Sequence, residues 1–238
     1  MCTLEKRGNV YILTSTGNDE HRLNPTLLDS IRSALSRLRS EPTSPSSVLI
    51  TTAHGKFFSN GYDLSWARST TSQSITLSRY RMMSSKLRGL VSDHISLPMP
   101  TIAAITGHAS AGGWSMLCVV IKRRDRGFLY TSELDIGLVV PAWFMALLEC
   151  KFGDVKARRE VVLKAAKLTA EKGTVDMAVG NAEETVEAAV GLGEEGVFDK
   201  SHISKQTQSD GYYGQGFGRV WFDETVKKEN GKGKRLKL

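Results

Sequence analysis

Three short segments hold the residue types that chemistry at a carbonyl would use. His54 to Leu64 (HGKFFSNGYDL) is a strand end running into a glycine-containing turn. Gly107 to Met116 (GHASAGGWSM) places small residues after a strand and ahead of an apolar, helical run. Tyr130 to Leu138 (YTSELDIGL) sets two carboxylates, Glu133 and Asp135, among apolar residues. Small residues let backbone N–H groups approach a ligand closely. Preorganised N–H donors aimed at an oxygen that gains negative charge are worth roughly 3–4 kcal/mol each, and a carboxylate can carry a proton. Singly, each segment also reads as something plainer, a tight turn or a solvent-facing acid.

The elements that would position these segments alternate in type. Asn9 to Ser15 (NVYILTS) alternates apolar and polar residues and predicts a strand. Asn24 and Pro25 open a helix to Leu38, with Asn24 as N-cap, Pro25 in the first turn and Leu27, Leu28, Ile31, Ala34, Leu35 and Leu38 on one face. A loop at Glu41 to Ser47 leads to a β-branched strand, Ser47 to Ala53. A helix over Ile75 to Val91 and a strand over Thr101 to Ile105 follow, separated by Pro98-Met99-Pro100. Strands alternating with helices predict an α/β chain with a parallel sheet. Beyond Pro141 the pattern is helical, clearest at Trp143 to Cys150, Val155 to Lys167 and Ala182 to Gly191, and it fades from about Phe198.

Composition bounds the function classes. The chain has 238 residues, 40% hydrophobic and 24% charged, which suits one sizeable core. It contains no apolar run of the roughly 18 residues that a membrane helix needs, and the first residues lack the apolar core of a secretory signal. Three cysteines without CxxC spacing argue against a disulfide framework or a zinc site, so no metal is expected, and a reducing compartment fits. The net charge is +7, but Lys227 to Leu238 holds six basic residues and one acid, which leaves only +2 for the rest. That run reads as a solvated, disordered tail, and no nucleic-acid partner is expected.

Read together, LITTAHGKFFSNGYDL, SLPMPTIAAITGHASAGG and RRDRGFLYTSELDIGL resemble the enoyl-CoA hydratase/isomerase (crotonase) superfamily, and within it the plant peroxisomal Δ3,Δ2-enoyl-CoA isomerases. The resemblance covers about residues 1–195. It implies a crotonase-like fold with a ββα spiral core and a helical C-terminal region, followed by an atypical segment at 196–238. It also implies an acyl-CoA substrate, with CoA arriving on the thioester and no separate cofactor, and a homo-oligomer, a trimer. Carried over position by position, the two backbone donors to the thioester oxygen are the amides of Tyr62 and Gly112, and the proton shuttle is Glu133. Lys56, Ser59 and Gly61 are possible CoA contacts, Lys56 being equally readable as a solvated lysine. Hydratases of the family use a second glutamate, whose place by residue count is Ser115. One carboxylate suffices for a 1,3-proton shift, so the resemblance favours an isomerase over a hydratase.

Asp135, two positions from Glu133 on a segment read as extended, would face the other way and is given a structural role. His54 and His108 flank motifs without a catalytic role, and Met82, Met83 and Trp114 are read as packing residues. Gly214 to Gly218 (GQGFG) lacks the flanking strand and helix of a dinucleotide loop. Two stretches depart from the family pattern by being short, between Gly113 and Arg123 and near Lys172 to Asp176, which threatens the register of the following strand. They keep a catalytically weak or inactive acyl-CoA-binding paralogue open as the alternative. The ending Leu236-Lys237-Leu238 resembles the S-K-L peroxisomal address and would engage an import receptor, with a cytoplasmic location otherwise.

Overall fold

The computed structural model describes residues 1–195 apart from 18, 45, 112–118, 134, 136, 152–154 and 171–174. The expectations placed on Gly112, Trp114, Ser115, residues 196–238 and the terminal tripeptide lie outside the described residues.

Strand β1 (Cys2–Arg7) and β2 (Val10–Ser15) form an antiparallel hairpin that runs at the edge of the main sheet. The sequence reading missed β1, because its charged residues lie on an exposed edge and leave little hydrophobic alternation to read. Helix α1 (Pro25–Ser40) starts as expected: the Asn24 side chain accepts from the Leu27 amide at 2.9 Å. It returns the chain to β3 (Val48–Ala53), parallel to β2. Strands β5 (Thr101–Ile105), β7 (Val119–Arg123) and β9 (Met177–Val179) complete a sheet ordered β1-β2-β3-β5-β7-β9, in which every pairing after the hairpin is parallel.

Both faces of this sheet are covered, which the period-2 placement of side chains makes possible. Tyr11, Leu13, Leu49, Ala103 and Ile105 face a core shared with Leu28 and Leu35 of α1 and Leu87 and Leu90 of α3 (Gln73–Ile95). Their chain neighbours Val10, Ile12, Val48, Ile50, Ile102 and Ala104 face the opposite side, where Ala189 of α6 (Ala182–Glu194) packs. Continuous apolar strands are what a sheet buried on two faces requires.

A second sheet positions the chemistry. It consists of β4 (Phe57–Asn60), β6 (His108–Ser110) and β8 (Leu129–Tyr130), all parallel, in the order β4-β6-β8. Each follows directly on a main-sheet strand, β3, β5 and β7 respectively. Helices α2 (Leu64–Arg68) and α3 follow β4, and α4 (Ala142–Lys151) and α5 (Val155–Lys164) follow β8. This is the ββα repeat expected of the chain.

The second sheet is pressed tightly at its start. A Cβ on Gly107 would lie 2.4 Å from the Lys56 carbonyl oxygen, and one on Gly127 would lie 2.6 Å from that of Gly107. Any side chain there would force the strands apart.

Other boundaries moved for local reasons. Helix α3 is longer than Ile75 to Val91 at both ends, its first turn capped by Ser72. Helix α5 stops at Lys164, not Lys167, because Ala165 turns to φ 47° and Leu168 forms an antiparallel bridge with Leu129. The short stretch before Arg123 does not remove β7 from the sheet: Ile102↔Val119 through Ile105↔Lys122 pair in unbroken register. Asp176 fastens the start of β7, accepting from the Val120 amide at 2.7 Å and donating to its carbonyl at 2.9 Å.

Gly107→Ala should therefore lower unfolding free energy by about 2 kcal/mol or more, while Asn24→Ala should lower it by about 1 kcal/mol, both read from urea unfolding midpoints.

Candidate active site

Parallel strands in register finish at the same edge, so the residues just past β4, β6 and β8 are brought together. Asn60 pairs with Ser110 and Ser110 with Tyr130, and the Ser110 hydroxyl reaches the Asn60 side chain at 3.4 Å. The three segments singled out in the sequence, separated by tens of residues, thereby converge.

After β4 the chain turns at Gly61, with φ 69°. A Cβ there would sit 3.1 Å from the Ala111 Cβ and 3.4 Å from the Ser110 hydroxyl oxygen, so glycine meets both a backbone and a space requirement. The buried Ser59 hydroxyl accepts from the Gly61 amide at 3.3 Å and donates to the His21 carbonyl at 3.3 Å. Ser59 thus shapes the turn, its hydroxyl engaged on both sides by the chain itself.

Tyr62 then forms a parallel bridge with Leu23. The bonds of that bridge belong to its neighbours: the Leu23 amide donates to the Gly61 carbonyl at 2.7 Å, and the Asp63 amide donates to the Leu23 carbonyl at 3.3 Å. In a parallel pair this leaves the N–H of the middle residue on the opposite side. Among the described residues no acceptor meets the Tyr62 amide, while its carbonyl takes the Leu64 amide at 2.9 Å. Asp63 caps α2 through the Trp66 amide at 2.9 Å and receives the Asn24 side-chain amide at 3.3 Å. The turn that presents Tyr62 is fixed from both ends.

Past β6, Ala111 has φ 52°, a conformation that disfavours any residue with a Cβ by about 1–2 kcal/mol. Strain of this kind collects at functional turns. Past β8, the buried Thr131 hydroxyl donates to the Val161 carbonyl of α5, and the Leu138 amide closes a turn on the Glu133 carbonyl at 2.8 Å. That turn carries Glu133. Its Oε2 is buried without a hydrogen-bond partner among the described residues. Burial raises its carboxyl pKa above the ordinary 4.5, opposed only by its own backbone amide. A buried carboxylate oxygen left without a donor is costly, which makes Glu133 a candidate for function. Asp135, read as a structural residue on an extended segment, is instead exposed on a turn.

The side chain of Tyr62 belongs to the site as well, which the sequence reading did not anticipate. Its phenol packs against the main core, beside the Ser84 hydroxyl of α3. Burial pushes its pKa upward, and the negative field of Glu133 adds to that shift. Ser84 lies one helical turn before the buried Leu87, a polar residue on the inward stripe of α3, and that placement was the available signal.

The remaining candidates lie elsewhere. Lys56 is exposed before β4, at the far end of that strand from Tyr62. His54 is exposed and offers its carbonyl to the His21 ring at 2.6 Å. His108 begins β6, between the rings of Phe57 and Phe128. Met83 is core, but Met82 is 44% exposed, correcting its reading as a packing residue: adjacent helical positions point about 100° apart and cannot share an inward face. Among the described residues no His, Cys, Asp and Glu group could hold a metal ion, and no helix is long and apolar enough to cross a membrane.

Similarity to known proteins bears on the family and the fold. The family described as enoyl-CoA hydratase/isomerase matches residues 12–209. Enoyl-CoA delta isomerase 1, peroxisomal, from Arabidopsis thaliana is 59% identical over 202 residues, covering 82% of each chain. Enoyl-CoA delta isomerase 2, peroxisomal, from the same plant is 46% identical over 202 residues, covering 82% of this chain and 84% of its own. Among solved structures, an enoyl-CoA hydratase/isomerase family protein from Pseudomonas syringae superposes with a TM-score of 0.81 at 19% identity, covering 97% of each chain. The enoyl-CoA isomerase of Mycobacterium tuberculosis gives 0.78 at 18% identity, covering 95% of this chain and 97% of its own. These structures carry the crotonase fold expected from the sequence.

A carboxyl whose folded pKa lies above its unfolded value supports the fold below the unfolded value and opposes it once ionised. Glu133→Gln should therefore raise the melting temperature at pH 8, and the difference should shrink toward zero as the pH falls below about 4. Scanning calorimetry across that range checks it.

Proposed function

The chain belongs to the enoyl-CoA hydratase/isomerase family, and from that premise we propose that it is a Δ3,Δ2-enoyl-CoA isomerase, converting 3-enoyl-CoA to trans-2-enoyl-CoA in fatty acid β-oxidation. The observation that carries this reading is that, among the described residues, a buried Glu133 carboxylate oxygen has no donor and the Tyr62 amide has no acceptor.

The thioester oxygen of a bound 3-enoyl-CoA takes the Tyr62 N–H, and the Gly112 amide is the proposed second donor. Glu133, ionised, removes a proton from C2. The C–H electron pair moves into the C1–C2 bond, and negative charge collects on the thioester oxygen between the donors. Glu133 then returns the same proton to C4 as the C3–C4 double bond shifts to C2–C3. Nothing is oxidised or reduced and no proton is lost, so the step needs no group beyond the carboxyl and the amides. A raised pKa suits Glu133 to this work, because a carboxylate in a poorly solvated site is a stronger base than one in water. Water addition would ask for a second acid–base group, and the position where family hydratases place it is Ser115. The turn at Gly61 and Ser59 serves the acyl-CoA by presenting the Tyr62 amide. Delivery to the peroxisome through Leu236-Lys237-Leu238 belongs to the same reading, supported by relatives named as peroxisomal, and a trimeric assembly rests on the family resemblance alone.

With 3-hexenoyl-CoA, formation of the conjugated thioester should be followed readily. Glu133→Gln should reduce kcat by roughly 10²–10⁴-fold while leaving binding of the CoA ester nearly intact. Binding without turnover in the unaltered protein would instead show an inactive acyl-CoA-binding paralogue. The acidic limb of the kcat/KM profile should have its midpoint above 4.5, since the base must ionise before it works. A fluorescent fusion preceding the full chain should collect in peroxisomes and lose that location when Leu236-Lys237-Leu238 is removed.

A further inference from the structure

Helix α2 follows directly on the Tyr62 turn and is too short to hold its own place. Its five residues make little more than one turn, a length that backbone bonding alone does not stabilise. Of these residues only Ala67 is buried, so core packing positions α2 weakly as well. Polar contacts at its two ends fix it instead. At one end the Asp63 carboxylate accepts from the Trp66 amide at 2.9 Å. At the other, Arg79 Nη1 donates to the Trp66 carbonyl and to the Ser69 hydroxyl oxygen, both at 2.8 Å. The Ser69 hydroxyl donates in turn to the Trp66 carbonyl at 2.9 Å, which closes a triangle. The Arg79 guanidinium also lies over the Trp66 ring, 5.0 Å from its centroid, within cation–π range. Trp66 is thus gripped through its amide, its carbonyl and its ring.

Arg79 comes from a part of α3 that adds little to the core. From Gln73 to Met82 the helix buries no residue, Ile75, Leu77 and Met82 are exposed, and its first buried residue is Met83. What this stretch does touch is α2. Besides Arg79, it supplies Tyr80, whose hydroxyl accepts from Arg68 Nε at 2.9 Å. The two contacts differ in what they hold. Arg68 joins side chain to side chain, whereas Arg79 holds the backbone of Trp66. A flat guanidinium can stack on a ring and donate from its edge at once, which a lysine ammonium cannot reproduce.

We propose that Arg79 is a positioning residue for the Tyr62 amide, acting through Trp66 and Asp63, a role that rests on reading that amide as the donor to the thioester oxygen. The chain of contacts is short. Arg79 holds Trp66, Trp66 holds Asp63, and Asp63 is the residue after Tyr62. A drift of α2 therefore carries the Tyr62 peptide with it. A donor must stay within about 0.5 Å of its productive place, and a misplacement of about 1 Å can cost about 100-fold in rate. The acceptors of Arg79 are a carbonyl and a hydroxyl, neither of which titrates near neutrality. The pH dependence set by Glu133 is accordingly untouched by the loss of Arg79.

Infrared spectra of bound hexanoyl-CoA, which has no double bond to move, read the polarisation of the thioester carbonyl directly. Binding to the unaltered full chain should lower the carbonyl stretching frequency, and binding to Arg79→Met should lower it much less. With 3-hexenoyl-CoA the same variant should lose about 10–100-fold in kcat. Its affinity for hexanoyl-CoA should stay within about twofold, and the midpoint of the acidic limb should not move. Arg68→Met, which removes a contact between the same helices without freeing the Trp66 carbonyl, should keep the whole frequency change. Arg79→Lys should fall between the two, and it carries the test if Arg79→Met does not fold. No frequency change in the unaltered protein overturns the Tyr62 donor and the role of Arg79 together. A full change with Arg79→Met, or an equal loss with Arg68→Met, overturns the role of Arg79 alone.

Discussion

Everything in the site depends on the parallel pairing of three very short strands. Asn60, Ser110 and Tyr130 lie abreast in β4, β6 and β8, and that register alone determines which residues emerge together at the carboxyl edge. Alternate residues of a strand face opposite ways, so a slip of one position would turn the Tyr62 amide toward Leu23 and carry Glu133 to another face. The small sheet has few hydrogen bonds of its own with which to resist such a slip. Its register is held from outside, by the glycine contacts at its start and by the Leu23 bridge and the Leu129–Leu168 bridge along its flanks. The main sheet, buried on both faces, supplies the rigid frame from which each small strand departs.

The groups that would do chemistry are arranged against the preferences of the fold. Among the described residues Glu133 keeps a carboxylate oxygen buried without a donor and the Tyr62 amide has no acceptor, while Ala111 holds a left-handed backbone. Each is unfavourable for stability alone. Together they are what an enolate-forming site requires: a base that water does not solvate and a donor left free for an oxygen that becomes negative. The apolar packing of α1, α3 and α6 on the main sheet gives the chain the reserve to hold them.

Much of this was legible in the sequence because it rests on local rules. The apolar stripe and Asn24-Pro25 start of α1, the β-branched strand at Val48–Ala53 and the strand Thr101–Ile105 each announce themselves within a few residues. The three chemical segments were legible too, as motifs, and Glu133 with them. What escaped was decided by tertiary contact. β1 lies at a charged edge that imposes no pattern, and α5 ends where Leu168 is drawn into a bridge with Leu129. The exposure of Asp135 follows from a turn closed between Glu133 and Leu138, which no alternation of residue types encodes. The burial of the Tyr62 phenol beside Ser84 depends on how α3 packs against the core, and the aligned rings of Phe57, His108 and Phe128 depend on sheet register.

The most direct measurement of the central claim is a crystal structure with a non-reacting 3-enoyl-CoA analogue bound. The account predicts the thioester oxygen about 2.7–3.1 Å from the Tyr62 amide nitrogen and the Glu133 carboxylate about 3–3.5 Å from both C2 and C4. A thioester seated away from the ends of β4 and β8, or a Glu133 carboxylate turned to solvent with the analogue in place, would contradict it.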